Sequence, residues 1–259
     1  MNLGIAGRKA IVCASSRGLG KACARALAEA GCEVVINGRD AKTLNATAAE
    51  LSSLTGGKIT AVIADVATPD GQKALLAACP QPDILVNNNA GPPLRDFREL
   101  SRQQMIEGVT ANMIVGIELI QKVIDPMMSR KFGRIVNITS GAVRAPIAGL
   151  DLSSGARAGL TAFLAGVART VADKNVTINN LLPGAFDTDR LRGTLSKAAE
   201  KSGKSITQVA ADRIATIPAR RFGDPAEFGA ACAFLCSSQA GFITGQNLLI
   251  DGGSFPGAF

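Results

Sequence analysis

Over 259 residues the chain carries 28 Lys and Arg against 21 Asp and Glu, a formal net charge of +7, and contains no Tyr, Trp or His. With 47% hydrophobic and 19% charged residues it can bury a sizeable core, which excludes a disordered chain, while the lack of His removes the commonest acid–base and metal-binding side chain. The basic residues are scattered without interleaved aromatics, so no nucleic-acid partner is expected, and Cys13, Cys23, Cys32, Cys79, Cys232 and Cys236 form no CxxC pair, so no metal is expected either.

In chain order, short β-branched runs at 9–14, 33–37, 58–65, 83–91, 134–140, 176–184 and 247–251 alternate with helical stretches at 20–30, 40–54, 70–78, 101–129, 154–173 and 225–238. The runs are continuously apolar rather than alternating, which fits strands covered on both faces by right-handed crossovers. The pattern predicts an α/β protein: a single Rossmann-type domain over 1–259, with a doubly wound seven-stranded parallel sheet and helices on both faces. Residues 185–223 interrupt the rhythm with a polar, basic stretch containing one predicted short helix at 205–215, an excursion expected to cover a site as a lid. No run of 18 uncharged apolar residues occurs, so no membrane span is expected and a cytoplasmic location is.

The first strand leads into "CASSRGLG" at 13–20, where Gly18 and Gly20 open a helix whose free N–H groups and positive dipole end suit a pyrophosphate. Ala14 stands where a first glycine would complete a three-glycine loop. The second strand ends "VVINGRD", and Gly38 occupies the place of the acid that would accept from a ribose 2′-hydroxyl. Arg39 follows it and Arg17 lies in the loop, so two cations face the position of a 2′-phosphate, which favours NADP(H) over NAD(H).

With these motifs in view, the chain resembles the short-chain dehydrogenases/reductases, most closely their 3-oxoacyl-acyl-carrier-protein reductase-like branch. The resemblance implies that the family's TGxxxGxG loop runs through Ala14, Ser15, Ser16, Arg17, Gly18, Leu19 and Gly20, with Asp65 and Val66 at the adenine. It assigns "NNAG" at 88–91, with Asn89, Ala90 and Gly91, to the nicotinamide side, and Pro183, Gly184 and Thr188 of "PGAFDT" to the nicotinamide carboxamide. Asn112 and Ser140 match the family's helical Asn and catalytic Ser, and the tail at 243–253 resembles a last strand that packs in homotetramers. The catalytic YxxxK, however, reads here as Ser153 and Arg157.

That replacement changes the chemistry. A serine hydroxyl is less acidic and shorter than a phenol, and an arginine does not release its proton, although it can bond ribose hydroxyls or grip a carboxylate. The catalytic candidates Asn112, Ser140, Ser153 and Arg157, with Arg157 also at the cofactor, can therefore orient a substrate and stabilise charge while making a poor proton couple. One expectation is an NADP(H)-dependent oxidoreductase interconverting carbonyl and alcohol, with a water-relayed proton and a small, anionic substrate suited to Arg144 and Arg157. Asp151 is a candidate acid should burial raise its pKa, against a helix cap or a solvated loop residue. The second is a catalytically impaired NADP(H)-binding sensor or partner subunit; the third is the same fold without a redox role.

Overall fold

A computed structural model describes residues 2–258. The strands β1 (Lys9–Val12), β2 (Glu33–Gly38), β3 (Ile59–Ile63), β4 (Ile84–Asn87), β5 (Gly133–Ile138), β6 (Val176–Pro183) and β7 (Asn247–Ile250) form one 7-stranded sheet ordered β3-β2-β1-β4-β5-β6-β7. Every pairing is parallel. Both faces of the inner strands are buried, which is why those strands read as unbroken apolar runs: Ala10 and Val12 of β1 join a core with Leu27 and Phe228, while Ile11 joins another with Leu119 and Leu164.

The first of those cores packs under α1 (Gly18–Glu29), α2 (Ala41–Thr55) and α9 (Pro225–Leu235). The second packs under α3 (Pro69–Ala78), α5 (Val115–Ser129) and α6 (Asp151–Val171). Local chemistry sets the helix ends. Asp40 accepts from Thr43 N to start α2, which Gly56 ends at φ 65, and Asp224 with Glu227 forms a capping box on α9.

Several expected boundaries move. The first strand stops at Val12, and the fourth ends at Asn87, so residues 88–91 lie beyond it as loop. The third, fifth, sixth and seventh strands also stop short of the predicted ends at 65, 140, 184 and 251. The helix expected at 101–129 is α4 (Arg102–Val109) and α5 joined by a π-helical turn at Thr110–Ile114, and the one expected from 154 begins at Asp151, which brings Ser153 into α6. The excursion after β6 holds two helices, α7 (Asp189–Ser202) and α8 (Ile206–Ala215), of which only the second was expected.

One row of side chains ties β4, β5, β6 and β7 together. Asn87 Nδ2 donates to Asn137 Oδ1 at 2.9 Å, Asn137 Nδ2 to Asn180 Oδ1 at 3.0 Å, and Asn180 Nδ2 to Asn247 Oδ1 at 2.7 Å. These residues are partners in the strand register, so four parallel strands are fixed side by side, from the carboxyl end of β4 to the first residue of β7. All six thiols are buried and free, and burial pushes Cys13 up to about 12, which keeps it protonated and inert. Among the described residues no helix is long and apolar enough to cross a membrane.

Candidate active site

Between β1 and β4 the strand order reverses, and the crevice at this point is where open α/β sheets take ligands. Side chains cap α2, α3, α4, α7, α8 and α9, whereas the N-terminus of α1 has no side-chain cap and no acid in its first turn. Its first N–H groups and positive dipole end are left for an anion. Gly20 is required there by packing: a methyl on it would lie 2.5 Å from Ala14 O and 2.9 Å from Asn88 Nδ2. Ala14 itself sits at φ 43, a left-handed conformation that suits the glycine it replaces. Asn88 Nδ2 donates to Ala14 O at 3.1 Å, so the loop after β4 pins the loop after β1, and buried Ser15 ties back to Val12 O and Asn37 N.

At the end of β2, a methyl on Gly38 would meet the Ser16 side chain at 3.2 Å, a tight contact that Ser16 would have to relieve by a few tenths of an ångström. Arg39 is exposed and lies 3.6 Å from Asp65, an ion pair too solvated to hold it. Arg17 is exposed; hydrogen bonds from Thr43, with a smaller contribution from the charge of Arg17, lower the pKa of Asp40. Asp65 Oδ1 accepts from Ala67 N, and Val66 is buried behind it. An uncapped helix end, a glycine in place of an acid and two exposed guanidiniums fit a dinucleotide carrying an additional phosphate.

At the other end, Arg157 is 7% exposed and spends its guanidinium on three acceptors: Ile138 O at 2.7 Å, Asn89 O at 3.3 Å and Ser153 Oγ at 3.3 Å. Burial, aided by the charge of Arg190, pushes it down to about 10, so it remains a cation at neutral pH. Ser153 is buried at the same place, and Ser140, at the end of β5, accepts from Ala142 N at 3.1 Å. Both hydroxyl oxygens already accept from the chain, so both O–H groups are free to donate elsewhere. The π turn presents Asn112, whose Nδ2 donates to Gly108 O while its buried Oδ1 has no partner. Asn87 Oδ1 is similarly unpartnered, and both residues line a cavity of about 20 Å³ with Asn89 and Arg157.

The structure thus brings Asn89, Asn112, Ser153 and Arg157 together, and brings Thr188 to Gly18, where its methyl would lie 3.6 Å from a side-chain carbon on the glycine. Gly184 is pressed against Asp251, where a methyl would come within 2.6 Å, and Pro183 O lies 3.2 Å from the corresponding point on Gly141, next to Ser140. Among the described residues no hydrogen bond joins Ser140 to Ser153 or Arg157. Asp151 is the exposed first residue of α6 and accepts from Gly149 N, which removes the burial needed to make it an acid. Arg144 is exposed on the turn after β5. Arg190 enters the site without having been singled out for it; its only sequence signal is its position two residues after Thr188.

A helix N-terminus left free for phosphate, at the reversal of a parallel sheet, defines a Rossmann-type nucleotide-binding protein. The profile of the family described as enoyl-(acyl carrier protein) reductase matches residues 13–254. A 3-oxoacyl-acyl-carrier-protein reductase of Vibrio cholerae is 31% identical over 98% of this chain and 99% of its own. The NADPH-dependent reductase BacG of Bacillus subtilis is 30% identical over 95% of this chain and 97% of its own. Among solved structures, the L-sorbose reductase of Gluconobacter frateurii, complexed with NADPH and L-sorbose, superposes with a TM-score of 0.94 at 26% identity, covering 99% of this chain and all of its own. The chain belongs to the short-chain dehydrogenase/reductase family of oxidoreductases.

Proposed function

We propose that the protein is an NADP(H)-dependent oxidoreductase that interconverts a carbonyl and an alcohol without a phenol–lysine couple. The observation that carries this reading is the pairing of an uncapped α1 N-terminus with a buried Arg157, charged at neutral pH, at the far end of the same crevice. Gly18, Leu19 and Gly20 would hold the diphosphate, Arg17 and Arg39 the 2′-phosphate, and Asp65 and Val66 the adenine. Asn89, Ala90, Gly91, Pro183, Gly184 and Thr188 would border the nicotinamide. When bound, that group supplies the two-electron chemistry.

The chain's own residues do the rest. Ser153 accepts from Arg157 Nε, which polarises its O–H, and this hydroxyl with that of Ser140 donates to the substrate oxygen. Arg157 stabilises negative charge as it develops on that oxygen, and because it stays protonated the proton passes through water. The helices α7 and α8 cover the crevice as a lid. Vibrio cholerae and Bacillus subtilis relatives named as reductases support the reaction class, and the NADPH of the structural neighbour supports the cofactor. A cytoplasmic homotetramer belongs to the same reading, with the exposed Leu248 of edge strand β7 and Phe242 before it available to a second copy.

One observation favours the alternative, a cofactor-binding protein that has lost turnover: Arg157 directs its donors at the chain's own carbonyls. The test is NADPH consumption against a panel of β-keto thioesters, quinones, diketones and keto acids, together with an NADPH binding titration. Binding with turnover supports the enzyme, binding with no turnover on any class supports the alternative, and no binding removes both.

A further inference from the structure

The crevice contains a second guanidinium for which the motifs assign no role. Arg190 stands in the first turn of α7, just after the Thr188 hydroxyl that caps the helix. Its side chain turns back over the site. A methyl group on Gly91 would lie 3.0 Å from Arg190 Nη2, 3.3 Å from Nη1 and 3.4 Å from Ser153 Oγ. Arg190 and Ser153 therefore border one point, kept open by a glycine, and Arg157 reaches the same serine from the protein interior.

Two like charges converge here without an acid between them. Among the described residues neither Arg157 nor Arg190 takes part in an ion pair, and the Arg190 guanidinium donates no hydrogen bond. Its neighbour Arg192 behaves in the ordinary way, pairing with Asp187 and Asp189 at 3.0 Å each. The mutual repulsion is felt: the charge of Arg190 is one of the causes that lower the pKa of Arg157. An oxyanion between them removes that repulsion and gives the Arg190 fork two parallel acceptors.

This oxyanion and the cofactor diphosphate would have different donors. The diphosphate has its own donors at Gly18, and the Arg190 head group lies at Gly91 and Ser153 instead. We propose that Arg190, with Arg157, binds a carboxylate carried by the substrate, so that the protein acts on keto acids or hydroxy acids whose reacting oxygen meets Ser153 and Ser140. The substrate class rests on the oxidoreductase reading above; the carboxylate site does not.

The test is calorimetric titration of malonate, and of neutral malonamide, into protein saturated with NADP+ at fixed ionic strength, with Arg190→Met and Arg190→Lys compared. Wild type is expected to bind malonate but not malonamide. Arg190→Met is expected to weaken malonate about tenfold or more, a loss of about 1.4 kcal/mol, with Arg190→Lys intermediate and NADP+ affinity unchanged within about threefold. Arg190 is exposed, so the variants fold, which their melting curves check. No malonate heat in wild type up to about 20 mM, a weaker level than any specific site, overturns the proposal. So does an Arg190→Met variant that loses NADP+ while keeping malonate, which would assign Arg190 to the cofactor phosphates. If wild type binds no NADP+, the oxidoreductase reading fails by itself, and the same titration of the free protein still decides the carboxylate site.

Discussion

Replacing Arg157 by Met keeps an unbranched stem in the pocket and removes the charge, which sets two terms against each other. The guanidinium falls from 12.5 to about 10 in the fold. At 1.36 kcal/mol per unit, this is an unfavourable burial of about 3 kcal/mol. A cation whose folded pKa is lowered destabilises the fold at every pH below that value, and stability rises only as pH climbs through about 10 towards 12.5, so at neutral pH the whole penalty is present. Opposing it are a short bond to Ile138 O at 2.7 Å and two long ones at 3.3 Å. At about 2 kcal/mol for the first and about 1 kcal/mol for each of the others, they contribute about 4 kcal/mol. The net loss is about 1 kcal/mol, a fall in Tm of roughly 2–4 °C for a chain of this size. Arg134 is the control. It is 1% exposed and donates to Ser237 O, Gly133 O, Asn175 O and Asn175 Oδ1 while stacked 4.4 Å from the Phe132 ring centroid. Arg134→Met should therefore lose about 3 kcal/mol or more. Urea denaturation followed by circular dichroism reads both variants, and NADPH fluorescence reads cofactor affinity, which should fall about tenfold in Arg157→Met alone. If Arg157→Met unfolds as readily as Arg134→Met, or binds NADPH like wild type, Arg157 is a structural residue and the reasoning fails.

Gly20→Ala drives a methyl to 2.5 Å from a backbone oxygen, which cannot swing away; a loss of about 2 kcal/mol or more in denaturation and of NADPH binding is expected. Ala14→Gly relieves the left-handed φ of 43, and against the larger entropy of glycine in the unfolded chain it should raise stability by about 0.5–1 kcal/mol; a lower Tm would count against strain at this residue. The double variant Arg17→Ala, Arg39→Ala should weaken NADPH about tenfold and leave NADH within about twofold, and equal losses for both coenzymes would remove the 2′-phosphate assignment.

The strands were legible because burial on both faces leaves a continuous apolar signature, as in "ILVN" of β4, where every residue is buried. The loop glycine was legible for a different reason: Gly20 stands where a side-chain carbon would press on a backbone oxygen, and only glycine avoids that contact. Helix α7 was not legible, since Leu195 and Ala199 are its only buried residues and the rest of "DRLRGTLSKAAEKS" reads as solvated loop. Its Thr188 cap and Gly203 stop were the local signals available. The π turn at Thr110–Ile114 left no mark in the residue pattern, because α4 before it buries only Gly108 and carries no apolar stripe that a widened turn would interrupt. The reach of Arg190 depends on α7 bringing its first turn to Gly91 in the loop beyond β4, a tertiary fact that spacing does not contain.

The departures from the family pattern make sense as one change rather than three. A lysine at 157 would bring a single point charge, whereas the arginine fork reaches carbonyls at the ends of two different segments, Ile138 of β5 and Asn89 beyond β4, and still bonds Ser153. A phenol at 153 would project towards Gly91, into the space that the Arg190 head group borders; a serine leaves that space open. In the reading proposed above, shortening one side chain, widening the donor set of the second and bringing in a second cation turn a proton-transfer couple into a cluster that binds negative charge. A site so arranged gains its selectivity from the substrate's anion and leaves the proton to water, which links the loss of Tyr and Lys to the keto-acid chemistry inferred for Arg190.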